Sequence, residues 1–232
     1  MIEKTNFETF VYVSKYKYQI FVYDKSNYKN VYDKELLIND GVEYFNSDRL
    51  SNFIDKNIYK IEKIINNFIK SVTIIIENDN ILNTSISLKK KNYDKKINQK
   101  RLESNLIEIK DLFYENYQDQ IIMHMILVNK DEKEYLSKNI DMNQDYLFLE
   151  VSFISLSNNI TIFFDKLFEE HQIKISKYMS AKYIRSFLNK ETSELSAMAN
   201  KLKNGHNQNE VIIVSKNIVN KGLFEKFFQL FS

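Results

Sequence analysis

"FETFVYVSKYKYQIFVY", residues 7–23, holds two runs of aromatic and β-branched residues on either side of "KYK". Such side chains favour the pleated, half-buried surface of a sheet. The stretch predicts two strands, 7–13 and 18–23, joined by a tight turn. Working outward, "KELLI" (34–38) predicts a third short strand and Asp40-Gly41 a turn. Ser47 then caps a predicted helix that runs through Ser71. Its apolar face carries Leu50, Phe53, Ile54, Ile58, Ile61, Ile65, Phe68 and Ile69. "VTIIIEN" (72–78) has the composition of a buried strand, and "NTSISLKK" (83–90) alternates as a strand does.

A second helix is predicted over 98–116, with Leu102, Leu106, Ile109, Leu112 and Phe113 inward. Two strands follow, "IIMHMILV" (121–128) and "YLFLEVSFISL" (146–156). In the latter, Leu147, Leu149, Val151 and Phe153 share one face by the two-residue period. Asn158 or Asn159 starts a helix to about Glu170, "IKISKY" (173–178) is a strand and 181–189 a short helix. Helices and strands intermix along the chain, which predicts an α/β (α+β) layered fold. From about residue 191 to 216 the composition turns polar and reads as a linker. It contains a short helix from Leu195 to Leu202, ended by Asn204-Gly205, and a strand "VIIVSK" at 211–216.

Composition removes several classes of function. Hydrophobic residues make up 44% and charged residues 28%, ordinary for a globular chain, and the net charge is only +2. No global attraction to nucleic acid follows from that balance. With no cysteine there are no disulfides, thiolate metal sites or cysteine nucleophiles. Residues 1–10 contain no apolar signal region, and no apolar run reaches the roughly 18 residues that span a bilayer. The three glycines, Gly41, Gly205 and Gly222, lie far apart, so no glycine-rich phosphate loop can be assembled from neighbours in sequence. "KKKNYDKK" (89–96) reads as a solvated loop or edge. His124, His171 and His206 are scattered, and His124 sits in an apolar strand as a packed core histidine would. No catalytic, cofactor-binding or metal-binding constellation stands out, and the chain is read as a non-enzyme.

The last residues do stand out. Between 223 and 231 there are four phenylalanines and two leucines. On a helical wheel Leu223, Phe224, Phe227, Phe228, Leu230 and Phe231 fill an arc of roughly 160°. Glu225, Lys226, Gln229 and Ser232 take the remainder, and Lys221 lies just before. Residues 217–232 thus form a candidate amphipathic helix. It could dock on its own domain or in a partner's groove, or lie in a membrane interface with lysines near anionic headgroups. The membrane reading assigns lipid contact to Lys221, Leu223, Phe224, Lys226, Phe227, Phe228, Leu230 and Phe231.

Several passages resemble the FtsA family of actin-like bacterial cell-division proteins. "INQKRLESNLIEIKDLF" (97–113) and "IIMHMILVNKDEKEYL" (121–136) are similar to the helix and strand that open that family's inserted subdomain. "KNIDMNQDYLFLEVSFISLSNN" (138–159) resembles its Asn-Pro-x-Gly-Met passage, with Asn139 and Met142 kept. "FFDKLFEEHQIKISKYMSAKYIRSFL" (163–188) resembles the helix–strand–helix that returns to the core. The resemblance covers roughly residues 7–190, and the family also ends in an amphipathic membrane-targeting helix, which "GLFEKFFQLF" resembles.

The resemblance implies a single actin-like (ribonuclease H-like) lobe over 1–84 and 155–190. It is interrupted at 85–154 by a strand–helix–strand–strand (SHS2) subdomain, and followed by the 191–216 linker and the 217–232 helix. The departures are informative. Where the family has an Asp-Ile-Gly-Ser-Ser-Lys phosphate loop, this chain has Tyr12 for the aspartate and Ser14 for the glycine, and Lys17 alone fits. Residues 189–232 are too few for the family's second lobe, which completes the nucleotide cleft and receives FtsZ. The resemblance therefore implies no cofactor and a cytoplasmic adaptor on the inner face of the membrane. Its partners would be the lipid surface and division proteins, with FtsZ or self-association among the candidates and no nucleic acid.

Overall fold

The computed structural model describes residues 6–38, 47–91, 99–128, 146–188 and 194–212. β1 (Phe7–Val13), β2 (Lys17–Asp24) and β3 (Lys29–Leu37) form an antiparallel meander. α1 (Ser47–Ile65) then crosses to β4 (Ser71–Ile76), which pairs parallel to β1, and β8 (Lys174–Ser180) pairs parallel to β4. The resulting five-stranded order is β3-β2-β1-β4-β8. An antiparallel meander continued by parallel strands through helical crossovers is the sheet of an actin-like, ribonuclease H-like lobe, the fold class that the resemblance implies.

Both faces of this sheet are covered, which is why β1, β2 and β4 are nearly unbroken apolar runs. On one face Val11, Val13, Ile20, Ile74 and Ile76 meet Leu50, Phe53, Ile54 and Ile61 of α1. Phe164, Leu167 and Phe168 of α3 (Asn158–Glu169) complete that layer. On the other face Phe10, Tyr12, Phe21, Tyr23 and Ile75 meet α4 (Ala181–Arg185) and α5 (Leu195–Lys203).

The chain between β4 and β8 builds a second sheet of order β5-β7-β6, antiparallel throughout, from β5 (Leu82–Lys91), β6 (Gln120–Leu127) and β7 (Tyr146–Ser157). α2 (Gln99–Asn116) covers one face of it. Leu106, Ile109 and Phe113 pack on Leu147, Leu149, Val151 and Phe153, and the Phe113 and Phe153 rings stack at 4.7 Å.

Several expectations need correction. α1 stops at Ile65, short of Ser71, because Asn66 adopts φ +50, a left-handed conformation that asparagine tolerates at a helix end. Ile69 stays buried, but Phe68 points outward, 76% exposed. β3 begins at Lys29, five residues before its apolar part at 34–38. As a mostly exposed edge strand it is held by pairing to β2 and needs little apolar patterning. α4 ends at Arg185, before the expected 189.

The 191–216 stretch is not a linker over 195–212. Ser196, Met198, Ala199 and Leu202 of α5 are buried against the sheet, and Glu210 forms a bridge to Ile126. Of the expected strand at 211–216, residues 211 and 212 are not in strand, and 213–216 lie outside the described residues. The amphipathic stretch 217–232, with all eight proposed lipid-contacting residues, lies outside them too.

Candidate functional site

In open sheets with parallel strands, ligands collect outside the carboxyl ends of the strands. Here β1, β4 and β8 deliver three segments to that edge. The β1–β2 turn closes on Ser14, whose backbone N–H donates to Lys17 O at 3.0 Å. Its hydroxyl accepts from the backbone N–H groups of Tyr16 (3.3 Å) and Lys17 (3.1 Å) and donates to Lys17 O (3.1 Å). A phosphate loop leaves such amides facing an anion. In this turn the serine takes two of them for itself.

One strand over, the Glu77 N–H donates to Val13 O at 2.9 Å and fixes the residue that follows β4 beside the end of β1. The Tyr12 hydroxyl donates to one Glu77 carboxylate oxygen, and Arg185 Nη1 donates to the other. Arg185 Nη2 also donates to Tyr12 Oη at 3.1 Å, and the guanidinium lies 5.6 Å from the centre of the Tyr12 ring.

Arg185 reaches this point because α4 starts directly on the end of β8, with Ser180 accepting the Tyr183 N–H as its N-cap. Burial works to raise the Glu77 carboxyl, yet its bonds to Arg185 and Tyr12 hold it below the ordinary glutamate value. Burial, reinforced by Glu77, raises the Tyr12 phenol, and the bond to Glu77 raises Arg185 further. The three groups form a closed Tyr–Glu–Arg network. Around it Lys15 pairs with Asp79 at 3.1 Å and Lys17 with Glu35 at 3.2 Å.

A cleft of about 520 Å³ opens next to the network, between the strand ends and the second sheet. Glu77, Asp79, Asn83, Ile154, Lys182 and Arg185 line it. Its chemistry is mixed: a neutralised guanidinium, the Lys182 amine, carboxylates, the amides of Asn78 and Asn83, and an apolar wall. Arg185→Ala is expected to cost no more than about 1 kcal/mol, the usual worth of an exposed pair, since the two side chains are 42% and 44% exposed. Thermal unfolding of the variant checks this, and a loss of several kcal/mol would show the network to be a structural keystone.

The structure thus brings together Tyr12, Ser14 and Lys17, which the sequence marks through the altered loop, with Glu77 and Arg185, which it does not mark. The latter pair is separated by 108 residues, and only the parallel register of β4 and β8 makes them neighbours. His124 is a buried, hydrogen-bonded residue; Nδ1 contacts Glu210 at 2.9 Å and Nε2 accepts the Ser180 N–H at 3.0 Å. His171 lies 3.0 Å from Asp55, and His206 stacks edge-on against Phe187. Among the described residues no three histidine or carboxylate side chains converge as metal ligands, and no described helix is long and apolar enough to cross a membrane.

No family model and no curated protein matches the chain. Several solved structures are similar, three of them as follows. One is a Bacteroides thetaiotaomicron protein with an actin-like ATPase fold and unknown function, at 17% identity and TM-score 0.33, over 81% of this chain and 58% of that one. Another is the PilM–PilN type IV pilus biogenesis complex, at 7% identity and TM-score 0.48, over 76% and 48%. The third is the cytoplasmic domain of EpsL, an inner membrane component of the type II secretion system of Vibrio cholerae, at 8% identity and TM-score 0.41, over 80% and 59%. This chain spans between 48% and 59% of the length of those chains, and the likeness is one of fold.

Proposed function

We propose that the chain is a non-enzymatic, membrane-peripheral adaptor of the FtsA type. It would work on the cytoplasmic face of the inner membrane in bacterial cell division. The lobe and its strand–helix–strand–strand insertion present protein-binding surfaces, and residues 217–232 hold the chain to lipid. FtsZ, other division proteins or a second copy are the candidate partners. The observation that carries the reading is the unbroken apolar arc of Leu223, Phe224, Phe227, Phe228, Leu230 and Phe231, flanked by Lys221 and Lys226. Co-sedimentation of the full chain with anionic vesicles tests it: pelleting with lipid is expected, and a chain left in the supernatant overturns the anchor.

The non-enzymatic part draws support from the strand-end site. A nucleotide would have to displace Glu77 from Arg185 and the Ser14 hydroxyl from the turn amides. Calorimetric titration with ATP and magnesium is expected to be flat, and micromolar binding would refute this part. The alternative is a soluble interaction or assembly protein whose tail docks on its own chain or on a partner, and the packing of α5 on the sheet together with the pairing of 209–211 to β6 favours it. Protection of residues beyond 212 from protease without lipid would decide for docking.

A further inference from the structure

The segment that leads into the tail is tied into the junction of the two sheets. Residues 209–211 run antiparallel along the outer edge of β6. The Leu127 N–H donates to Asn209 O and the Val211 N–H to Met125 O, both at 2.8 Å. Between these bonds Glu210 turns inward, its side chain 3% exposed. One carboxylate oxygen takes His124 Nδ1 from β6 at 2.9 Å and Lys177 Nζ from β8 at 3.0 Å. The other takes the Tyr183 hydroxyl from α4 at 3.0 Å, and Asn207 Nδ2 donates to that same hydroxyl at 2.8 Å. A single carboxylate therefore joins the second sheet, the five-stranded sheet and α4.

Its protonation logic is set by geometry. The backbone N–H of Ser180 points at His124 Nε2 at 3.0 Å, so Nε2 must be the bare nitrogen, and Nδ1 carries the proton donated to Glu210. The imidazole lies against the Tyr183 ring at 4.0 Å. The charged or titratable groups facing the cluster are Glu210, Lys177 and Tyr183. Lys110 and Tyr114 of α2 line a groove of about 190 Å³ beside it. Glu210 and Lys177 balance one another. A second proton on His124 would place Nε2–H against the Ser180 N–H and leave an unbalanced cation in the junction, where buried charge is costly.

We propose that residues 207–211 are a releasable strap: protonation of His124, or loss of the Glu210 carboxylate, detaches it from β6 and uncouples the second sheet and the root of the C-terminal tail from the lobe. The strap holds whatever the tail binds, so the proposal does not depend on the lipid reading.

Burial keeps the His124 imidazole below its ordinary value against the opposing pull of Glu210. Burial works to raise Glu210 as well, but the bonds from His124 and Lys177 hold it at about 2. A histidine whose value is depressed by folding gives stability that is complete above the unfolded value of roughly 6.5 and is lost as pH falls below it. Strap opening therefore grows on the acid side of about pH 6.5, while Glu210 stays ionised.

Hydrogen exchange of the full chain across pH 8 to 5, corrected for the intrinsic rate, tests the strap without any substitution. Protection of 121–127 and 207–212 is expected to fall at least tenfold over this range, while the β1–β2 hairpin keeps its own. Glu210→Gln is expected to show the low protection already at pH 8, and His124→Asn to abolish the pH dependence. Protection at 121–127 that stays constant with pH, or that falls in step with the hairpin, would overturn the proposal.

Discussion

Replacing both Phe227 and Phe228 by glutamate is expected to release the chain from anionic vesicles, with a loss of partitioning on the order of a hundredfold in co-sedimentation. Each phenylalanine contributes about 1.5–3 kcal/mol when buried, as an upper estimate. Every 1.4 kcal/mol is a factor of ten in affinity. Removing two from the centre of the arc thus costs about two orders of magnitude, and repulsion between the new carboxylates and anionic headgroups adds to it. A helix this short is marginal in water, so the variant also loses the ordering that lipid burial would drive. Unchanged pelleting would remove the anchor. A charge-preserving control, Glu225→Asp, lies on the polar side of the wheel and is expected to change pelleting little.

The second large effect concerns the second sheet and its helix. Phe113→Ala is expected to destabilise the chain by about 3–5 kcal/mol, the range for deleting a fully buried phenylalanine. The side chain is 0% exposed, stacks on Phe153 and touches the rings of Tyr114 and Tyr117. With Leu106 and Ile109 it joins α2 to a sheet of three strands, so neighbours cannot fill the gap without moving the helix. Thermal unfolding is expected to shift down by on the order of 10 °C, at about 2–4 °C per kcal/mol for a chain of this size. A shift of a degree or two would mean that α2 repacks freely.

Much of the fold could be read locally. The hairpin at 7–23, the face of α1 up to Ile65, the inward row Leu147, Leu149, Val151 and Phe153, and the helix after Leu195 follow from periods of two or 3.6 residues. Helix ends were less legible, because Asn66 is one asparagine among many and only its backbone conformation marks it as a stop. The burial of α5 was hidden by its surroundings. Its apolar residues are confined to one short stretch and two of them are alanines, and the polar residues around it gave the segment the composition of a tether.

The sequence alone determined that alternating and helical runs would stack into α/β layers. It also determined that the three glycines stand far apart along the chain and that the apolar residues of 223–232 share one arc of a helical wheel, since these properties belong to neighbours along the chain. Tertiary structure alone decided that Tyr12, Glu77 and Arg185 share one network and that His124, Lys177, Tyr183 and Glu210 share another. Those contacts depend on the parallel pairing of β1, β4 and β8 and on the bridge at Ile126 and Glu210. Pairing between distant strands is fixed by the packing of the whole, so no short window of sequence contains it.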